Sequence, residues 1–144
     1  MTIEELNKIC RNSFVDHLEI RFVSFDGKCI SGKIEIEEIH LQPVGVVHGG
    51  VYISMAETMA GAGSMLLVES EGKVAFGTTV NSQHIASVSS GVISAVGEII
   101  HKGSFKHIWD VKISDENGKL ISISRVTNSI KENNYIEDQN RGQQ

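Results

Sequence analysis

One long apolar segment and six segments of alternating apolar and polar residues make up most of this chain. The apolar segment, residues 49–68, is predicted to form a helix that ends near Gly72. Period-two alternation rich in β-branched residues predicts strands at 18–25, 29–37, 73–86, 91–101, 104–114 and 119–131. A helix that is apolar on nearly every side must be covered on every side. We therefore expect an α+β fold in which a curved antiparallel sheet of about five to six strands wraps one long central helix.

The rest of the chain is predicted to add a short N-terminal helix and a polar tail to a single domain. Thr2 and Glu5 form a capping-box pattern for a short helix over residues 2–11. Asp26-Gly27 is typical of a tight turn between the first two strands. No repeat or linker divides residues 1–131, so we predict one domain there. The polar tail, residues 132–144, is predicted to be disordered.

Composition narrows the classes of function. The 144 residues carry a formal charge of −5 and no basic run, which argues against a nucleic-acid partner. Two cysteines without a CxxC pattern, and a polar N-terminus unlike a signal peptide, favour the cytoplasm. The six histidines show no metal-ligand spacing, so we expect no metal. Residues 41–68 include Pro43, five glycines and Glu57. This content is too polar for a membrane span, and we expect a soluble protein.

Glu57 is the only formally charged side chain in residues 41–68. An ionised carboxylate costs several kcal/mol to bury unless it is paired, hydrogen-bonded or protonated. A buried apolar helix gains no stability from such a group. We therefore expect Glu57 to be a catalytic acid or base enclosed in an apolar pocket. The alternative is a structural role, with the carboxylate satisfied by a helix N-terminus across an interface.

The segment LQPVGVVHGGVYISMAE, residues 41–57, resembles the signature of hotdog-fold acyl-CoA thioesterases of the PaaI and 4-hydroxybenzoyl-CoA thioesterase type. The pattern combines Gln-Pro, His-Gly-Gly, a glutamate seven residues after the second glycine, and NSQH downstream. The resemblance extends over roughly residues 18–131 and is nearest to bacterial 1,4-dihydroxy-2-naphthoyl-CoA thioesterases. It implies a hotdog fold, hydrolysis of an aryl or other bulky acyl-CoA, and no cofactor beyond the CoA of the substrate.

By this resemblance, four residues form the catalytic set. The backbone N–H of Gly49, at the start of the helix, is the oxyanion donor, as suits an unsatisfied N–H beside the helix dipole. His48 supports that segment, and Gln42 orients the substrate or water. Glu57 is either the general base for water or a nucleophile that forms a short-lived anhydride, and the sequence leaves both open.

A substrate-binding set is predicted in part from the resemblance, which supplies His84, and in part from side-chain chemistry, which supplies the weaker assignments for the phosphates of CoA. The predicted members are His84, Asn81, Thr58, Gly61, Ser104, Lys102, Lys106 and Arg125. His84 would line the acyl pocket, and Asn81 would fix the end of its strand. Gly61 departs from the family pattern, because related proteins often carry a hydroxyl residue there that can hold the attacking water. Water placement would then fall to Thr58, Ser64, Gln42 or a backbone group.

The spacing of Gly49 and Glu57 predicts an oligomer. They are eight residues apart, about 12 Å along a helix axis at 1.5 Å per residue. A single thioester carbonyl does not span that distance, so both residues can act on it only if they come from different subunits. We expect a homodimer with shared active sites, and the resemblance points further to a homotetramer.

Two other functions fit the same residues. His48 and Glu57 could form the acid/base pair of a hotdog hydroxyacyl-thioester dehydratase, although the Phe-Pro-Gly-His entry segment of those enzymes is absent here. The missing hydroxyl at Gly61 keeps open a non-catalytic, acyl-CoA-binding hotdog protein. The sequence does not distinguish a CoA thioester from a carrier-protein thioester.

Overall fold

The computed structural model describes residues 1–134 and shows a six-stranded antiparallel sheet curved around one long helix. The helices are α1 (Ile3–Ile9), α2 (Phe14–His17) and α3 (Gly49–Val68), with 3-10 turns at Glu38–His40 and Glu69–Glu71. The strands are β1 (Arg21–Phe25), β2 (Cys29–Glu35), β3 (Lys73–His84), β4 (Val92–Lys102), β5 (Lys106–Ser114) and β6 (Leu120–Glu132). Their order across the sheet is β1-β2-β4-β5-β6-β3. The predicted central helix, six strands and α+β class are confirmed.

The central helix lies where the apolar pattern placed it. α3 has the bounds predicted from the sequence, and Gly72 closes the turn after it with a left-handed φ of 70°. By length and composition alone α3 could cross a membrane. It is instead the core helix of the fold, because Met55, Ala56, Met59 and Ala60 are fully buried where it packs on the sheet.

One part of the helix prediction is wrong. α3 is not covered on every side, because Ile53 and Glu57 are exposed on the face that lies beside β3. β3 is an edge strand, which pairs with β6 and with no other strand among the described residues. A helix packed against the inside of a curved sheet keeps one side free, and in this chain that side opens along the β3 edge.

The N-terminal part differs slightly from the prediction. The Thr2–Glu5 capping box is present, and α1 ends at Ile9. The strand predicted over residues 18–25 begins only at Arg21, because the preceding residues form the short helix α2 and its cap. The apolar residues in this stretch pack into the core from the loop rather than from a strand. Of the predicted tail, residues 132–144, only residues 132–134 are described, and β6 ends at Glu132. Residues 135–144 lie outside the described part of the chain.

Candidate active site

The first turn of α3 is fixed by two histidines. The Nδ1 atom of His48 accepts a hydrogen bond of 2.8 Å from the Gly50 N–H, so His48 is the N-cap of α3. The backbone N–H of His48 in turn donates to the carbonyl of buried His40, at 2.9 Å. The His40 ring accepts from the Glu37 N–H and donates to the Leu18 carbonyl, at 2.9 and 2.8 Å. The loop that leads into the helix is therefore rigidly held.

Gln42 lies in this same loop. Its N–H donates to the Val46 carbonyl, and its carbonyl accepts from the Gly45 N–H, both at 2.8 Å. A bridge between Leu41 and Val47 closes the loop just before the N-cap. Gln42 is half-buried and lies six residues before the N-cap His48.

The structure brings together two residues that the sequence analysis placed in the site, Gly49 and His84. A Cβ built on Gly49 would lie 2.9 Å from both Cδ2 and Nε2 of His84, closer than real side chains approach. Only glycine allows this contact. The His84 ring is held by a 3.0 Å hydrogen bond between Nδ1 and the Ser122 hydroxyl. Its centroid is 5.3 Å from that of the buried Tyr52 ring.

Glu57 lies farther along the helix, and its predicted burial is wrong for this single chain. Its side chain is exposed at the open face of α3, and none of residues 1–134 makes a hydrogen bond or ion pair with its carboxylate. The carboxylate lies against the backbone of Gly77 on β3, so closely that a Cβ on Gly77 would overlap Oε1. The enclosing apolar pocket expected from the sequence therefore has no wall on this side within one chain.

Below the next turns of the helix lies a buried polar cluster, which consists of Ser64, His107, Trp109 and Asn128. The Ser64 hydroxyl accepts hydrogen bonds of 2.9 Å from the Trp109 indole N–H and from the Asn128 amide. Its own proton then goes to His107 Nδ1, 3.0 Å away. The hydrogen-bonding capacity of Ser64 is fully used. Ser64 is therefore removed from the candidates for holding an attacking water.

The neutral form of His107 fits this arrangement. Nδ1 acts as an acceptor, and protonation there would oppose a hydroxyl that already receives two donors. Burial lowers the pKa of His107 below its usual value, and Lys102 and His101 nearby lower it further. The cluster thus keeps an uncharged imidazole between the helix and the sheet.

Thr58 and Gly61 lie on α3 close to Glu57, and both are half-buried. The space around Gly61 is open, with nothing within 4 Å of the position that a Cβ would take. Position 61 therefore supplies no hydroxyl that could hold a water next to the acid.

Asn81 and Arg125 lie on the other face of the sheet. They are cross-strand partners, and alternation along β6 directs Arg125 away from α3, while its neighbours Ser124 and Val126 are buried. Both line a groove of about 480 Å³ on that outer face. Arg125 makes a two-pronged ion pair with Asp110, at 2.7 and 2.8 Å. The structure thus separates these two residues from Glu57 and Gly49.

The remaining cations lie beyond the end of the helix. Lys102 and Ser104 line a cavity of about 180 Å³ beside Val68, at the C-terminus of α3. Lys106 is exposed at the start of β5. Glu57 precedes Val68 by eleven residues, about 16 Å along the axis. These groups are therefore far from the helix entry, on the opposite side of Glu57. Within residues 1–134, no cluster of three or more His, Cys, Asp or Glu could hold a metal ion.

One chain therefore holds the candidate catalytic groups in two places. Gly49, His48 and His84 lie together at the helix entry, and Glu57 lies about two turns later beside Gly77. Sequence reasoning missed Gly77, although an isolated glycine inside a strand pattern signals a bulge or a close approach. The register between β3 and β6 does shift between Gly77 and Thr79.

Comparison with known proteins supplies the family. The profile described as Thioesterase superfamily matches residues 44–122. The 1,4-dihydroxy-2-naphthoyl-CoA hydrolase of Escherichia coli is 32% identical over 130 residues, which covers 90% of this chain and 95% of that protein. The enzyme of the same name from Listeria monocytogenes is 38% identical over 113 residues, 78% of this chain and 90% of its own.

Solved structures agree with this result. A thioesterase from Haemophilus influenzae superposes with a TM-score of 0.88 at 35% identity, covering 92% of each chain. A mutant thioesterase from Pseudomonas aeruginosa superposes with a TM-score of 0.86 at 32% identity, covering 90% of this chain and 94% of that one. The sheet, the central helix and the family match together show that this chain is a hotdog-fold thioester hydrolase of the thioesterase superfamily.

Proposed function

We propose that this enzyme hydrolyses an aryl or similarly bulky acyl-CoA to the free acid and CoA, with Glu57 acting on the thioester. The observation that carries the proposal is the position of Glu57, at the open face of α3 beside the edge strand β3. Ile53, one turn earlier on the same face, is 38% exposed. An acid on a partly apolar, uncovered face is suited to a pocket that a second surface completes.

That second surface would be another copy of the chain, which gives a homodimer with shared active sites. An edge strand presents unpaired backbone groups to any strand that can pair with it. A copy docked along β3 would cover the open face and enclose Glu57. It would also supply the N-terminus of its own α3, so that Gly49 of the partner subunit faces the acid. A homotetramer of two such dimers is compatible with this arrangement.

The division of chemical roles follows from these positions. The Gly49 N–H, at the positive end of α3, would stabilise the oxyanion that develops on the thioester carbonyl. His84 lies against Gly49 and would line the pocket for the acyl group, and His48 fixes the first turn. Glu57 would either remove a proton from an attacking water or attack the carbonyl itself. In the second route CoA leaves as the thiolate, and water then hydrolyses the anhydride.

The choice of acyl group rests on the relatives. Proteins about one third identical to this chain are named as 1,4-dihydroxy-2-naphthoyl-CoA hydrolases, and they match it over most of its length. We therefore propose 1,4-dihydroxy-2-naphthoyl-CoA, a menaquinone precursor, as the first substrate to test. The open space around Gly61 leaves room for a bulky ring near Glu57.

Release of free thiol from a set of CoA esters tests the proposal. We expect turnover of 1,4-dihydroxy-2-naphthoyl-CoA or benzoyl-CoA above that of a fatty acyl-CoA. Glu57→Gln, which keeps the shape but removes the charge, should lower kcat by about 10³-fold or more. Binding without thiol release would favour a non-catalytic acyl-CoA-binding protein. Formation of an enoyl thioester from a hydroxyacyl-CoA would favour a dehydratase.

A further inference from the structure

The Glu57 carboxylate has no hydrogen-bond partner among the described residues, but it lies in close contact with one backbone position, Gly77. Its Oε1 atom occupies the space above Gly77 that any other residue would fill with a Cβ. The φ of Gly77 lies outside the left-handed region, so its backbone does not itself require glycine. The three heavy atoms nearest to the position that a Cβ would take at residue 77 all belong to the Glu57 side chain.

The sheet beneath this contact is organised as a single row. Gly77 on β3 pairs with Asn128 on β6, and Asn128 pairs with His107 on β5. The Asn128 amide donates to the Ala60 carbonyl and to the Ser64 hydroxyl, both at 2.9 Å. Because positions 57, 60 and 64 share one face of a helix, one stripe of α3 crosses one row of the sheet.

Hydrogen bonds from this row hold the helix on β5 and on β6, the strand that pairs with β3. The turn that follows Glu57 is held by Asn128 at Ala60, and the next turn by three side chains at Ser64. A side chain added at position 77 would therefore displace the end of the Glu57 side chain rather than the helix. A carboxylate at the end of a flexible side chain moves easily, so the displacement would cost little stability.

We infer that Gly77 is a positioning residue for Glu57, whose bare backbone sets where the carboxylate lies relative to the thioester. This inference rests on the proposed function, in which Glu57 acts on the substrate. A catalytic group misplaced by about 1 Å loses on the order of 10²-fold in rate. The occupied space at Gly77 thus determines catalytic rate rather than folding.

The test compares Gly77→Ala with Thr79→Ala. Thr79 lies on the same strand, but the register shift between the two positions turns Thr79 toward the groove on the outer face of the sheet. We expect Gly77→Ala to lower kcat about 10²-fold, with KM for the aryl-CoA, the thermal midpoint and the oligomer mass unchanged. Thr79→Ala should match the wild type. Wild-type kcat in Gly77→Ala, or an equal loss in both variants, would overturn the inference, as would a change in oligomer mass.

If Gly77→Ala does not fold, the same substitution is tested in a chain that also carries Glu57→Ala. Glu57→Ala removes the overlapping carboxylate, so Glu57→Ala/Gly77→Ala should then have the thermal midpoint of Glu57→Ala alone. Failure of the double variant to fold would place the strain in the strand and refute the positioning role. The proposed function fails separately, through wild-type activity of Glu57→Gln, whereas an inactive Glu57→Gln beside a fully active Gly77→Ala refutes only the inference about Gly77.

Discussion

Two polar residues of α3, Ser64 and Glu57, lie two turns apart on one face of the helix and have opposite surroundings. Ser64 is fully buried, and its hydroxyl is shared by His107, Trp109 and Asn128. Glu57 is exposed and makes no hydrogen bond with any residue from 1 to 134. The hydrogen-bonding groups of Ser64 are therefore satisfied within the chain. The Glu57 carboxylate is left available for a substrate and a second subunit, which would meet at this end of the helix face.

The largest effect expected from this contrast separates activity from stability. Glu57→Gln should lower kcat by about 10³-fold or more and leave the thermal midpoint at the wild-type value, because the side chain supports no contact that folding needs. Thiol-release kinetics and thermal unfolding of the same preparation measure both. A clear loss of stability would show that Glu57 is a structural residue, which is the alternative that the sequence left open.

The converse effect is expected at the buried end. Asn128→Ala removes the amide that holds both the Ala60 carbonyl and the Ser64 hydroxyl. It should lower the free energy of unfolding by about 1–3 kcal/mol, since two buried acceptors lose a partner. Asn81→Ala, on the neighbouring strand but exposed, is the matched control and should stay within about 0.5 kcal/mol of the wild type. Equal effects in denaturant unfolding would mean that the cluster does not anchor the helix.

A smaller effect concerns pH. Burial lowers the pKa of His107 from its usual 6.5, with Lys102 and His101 lowering it further and Glu71 opposing them. Between the folded and unfolded pKa values the unfolded chain binds more protons, so stability is full above about pH 6.5 and declines as the pH falls below it. His107→Asn keeps an acceptor near the Nδ1 position and should show a shallower decline of the thermal midpoint between pH 7.5 and 5.5. An unchanged slope would contradict this account.

The sequence predicted most of the fold because the patterns that specify it are local. The apolar run of α3, its end at Gly72 and the period-two strands follow from side-chain burial, and their bounds differ from the structure by only a few residues. The short helix α2 was missed, since four residues are too few to show a period. The edge position of β3 was missed as well, because strand order depends on pairings between distant segments.

The site was predicted less completely, for a related reason. His48, Gly49 and His84 were expected to lie in the site, and the structure brings them together, but Asn81 and Arg125 lie on the opposite face of the sheet. The expected burial of Glu57 assumed that one chain encloses its own helix. The sequence shows that Glu57 lies in an apolar segment. It does not show whether the surface that encloses Glu57 belongs to the same chain or to a second subunit. The contact of Gly77 with Glu57 joins α3 to the edge strand and has no local signature beyond the glycine itself.

Mixing two inactive variants tests whether each active site takes Glu57 from one subunit and Gly49 from the other. Glu57→Ala removes the acid. Gly49→Pro removes the oxyanion N–H at a helix position that tolerates proline, and it also crowds His84. After co-refolding at equal amounts, half of the dimers are mixed and each has one intact site, which predicts about a quarter of wild-type activity for a two-fold symmetric dimer. Activity that stays at the level of the separate variants, in a preparation shown by mass to contain mixed dimers, would contradict shared sites.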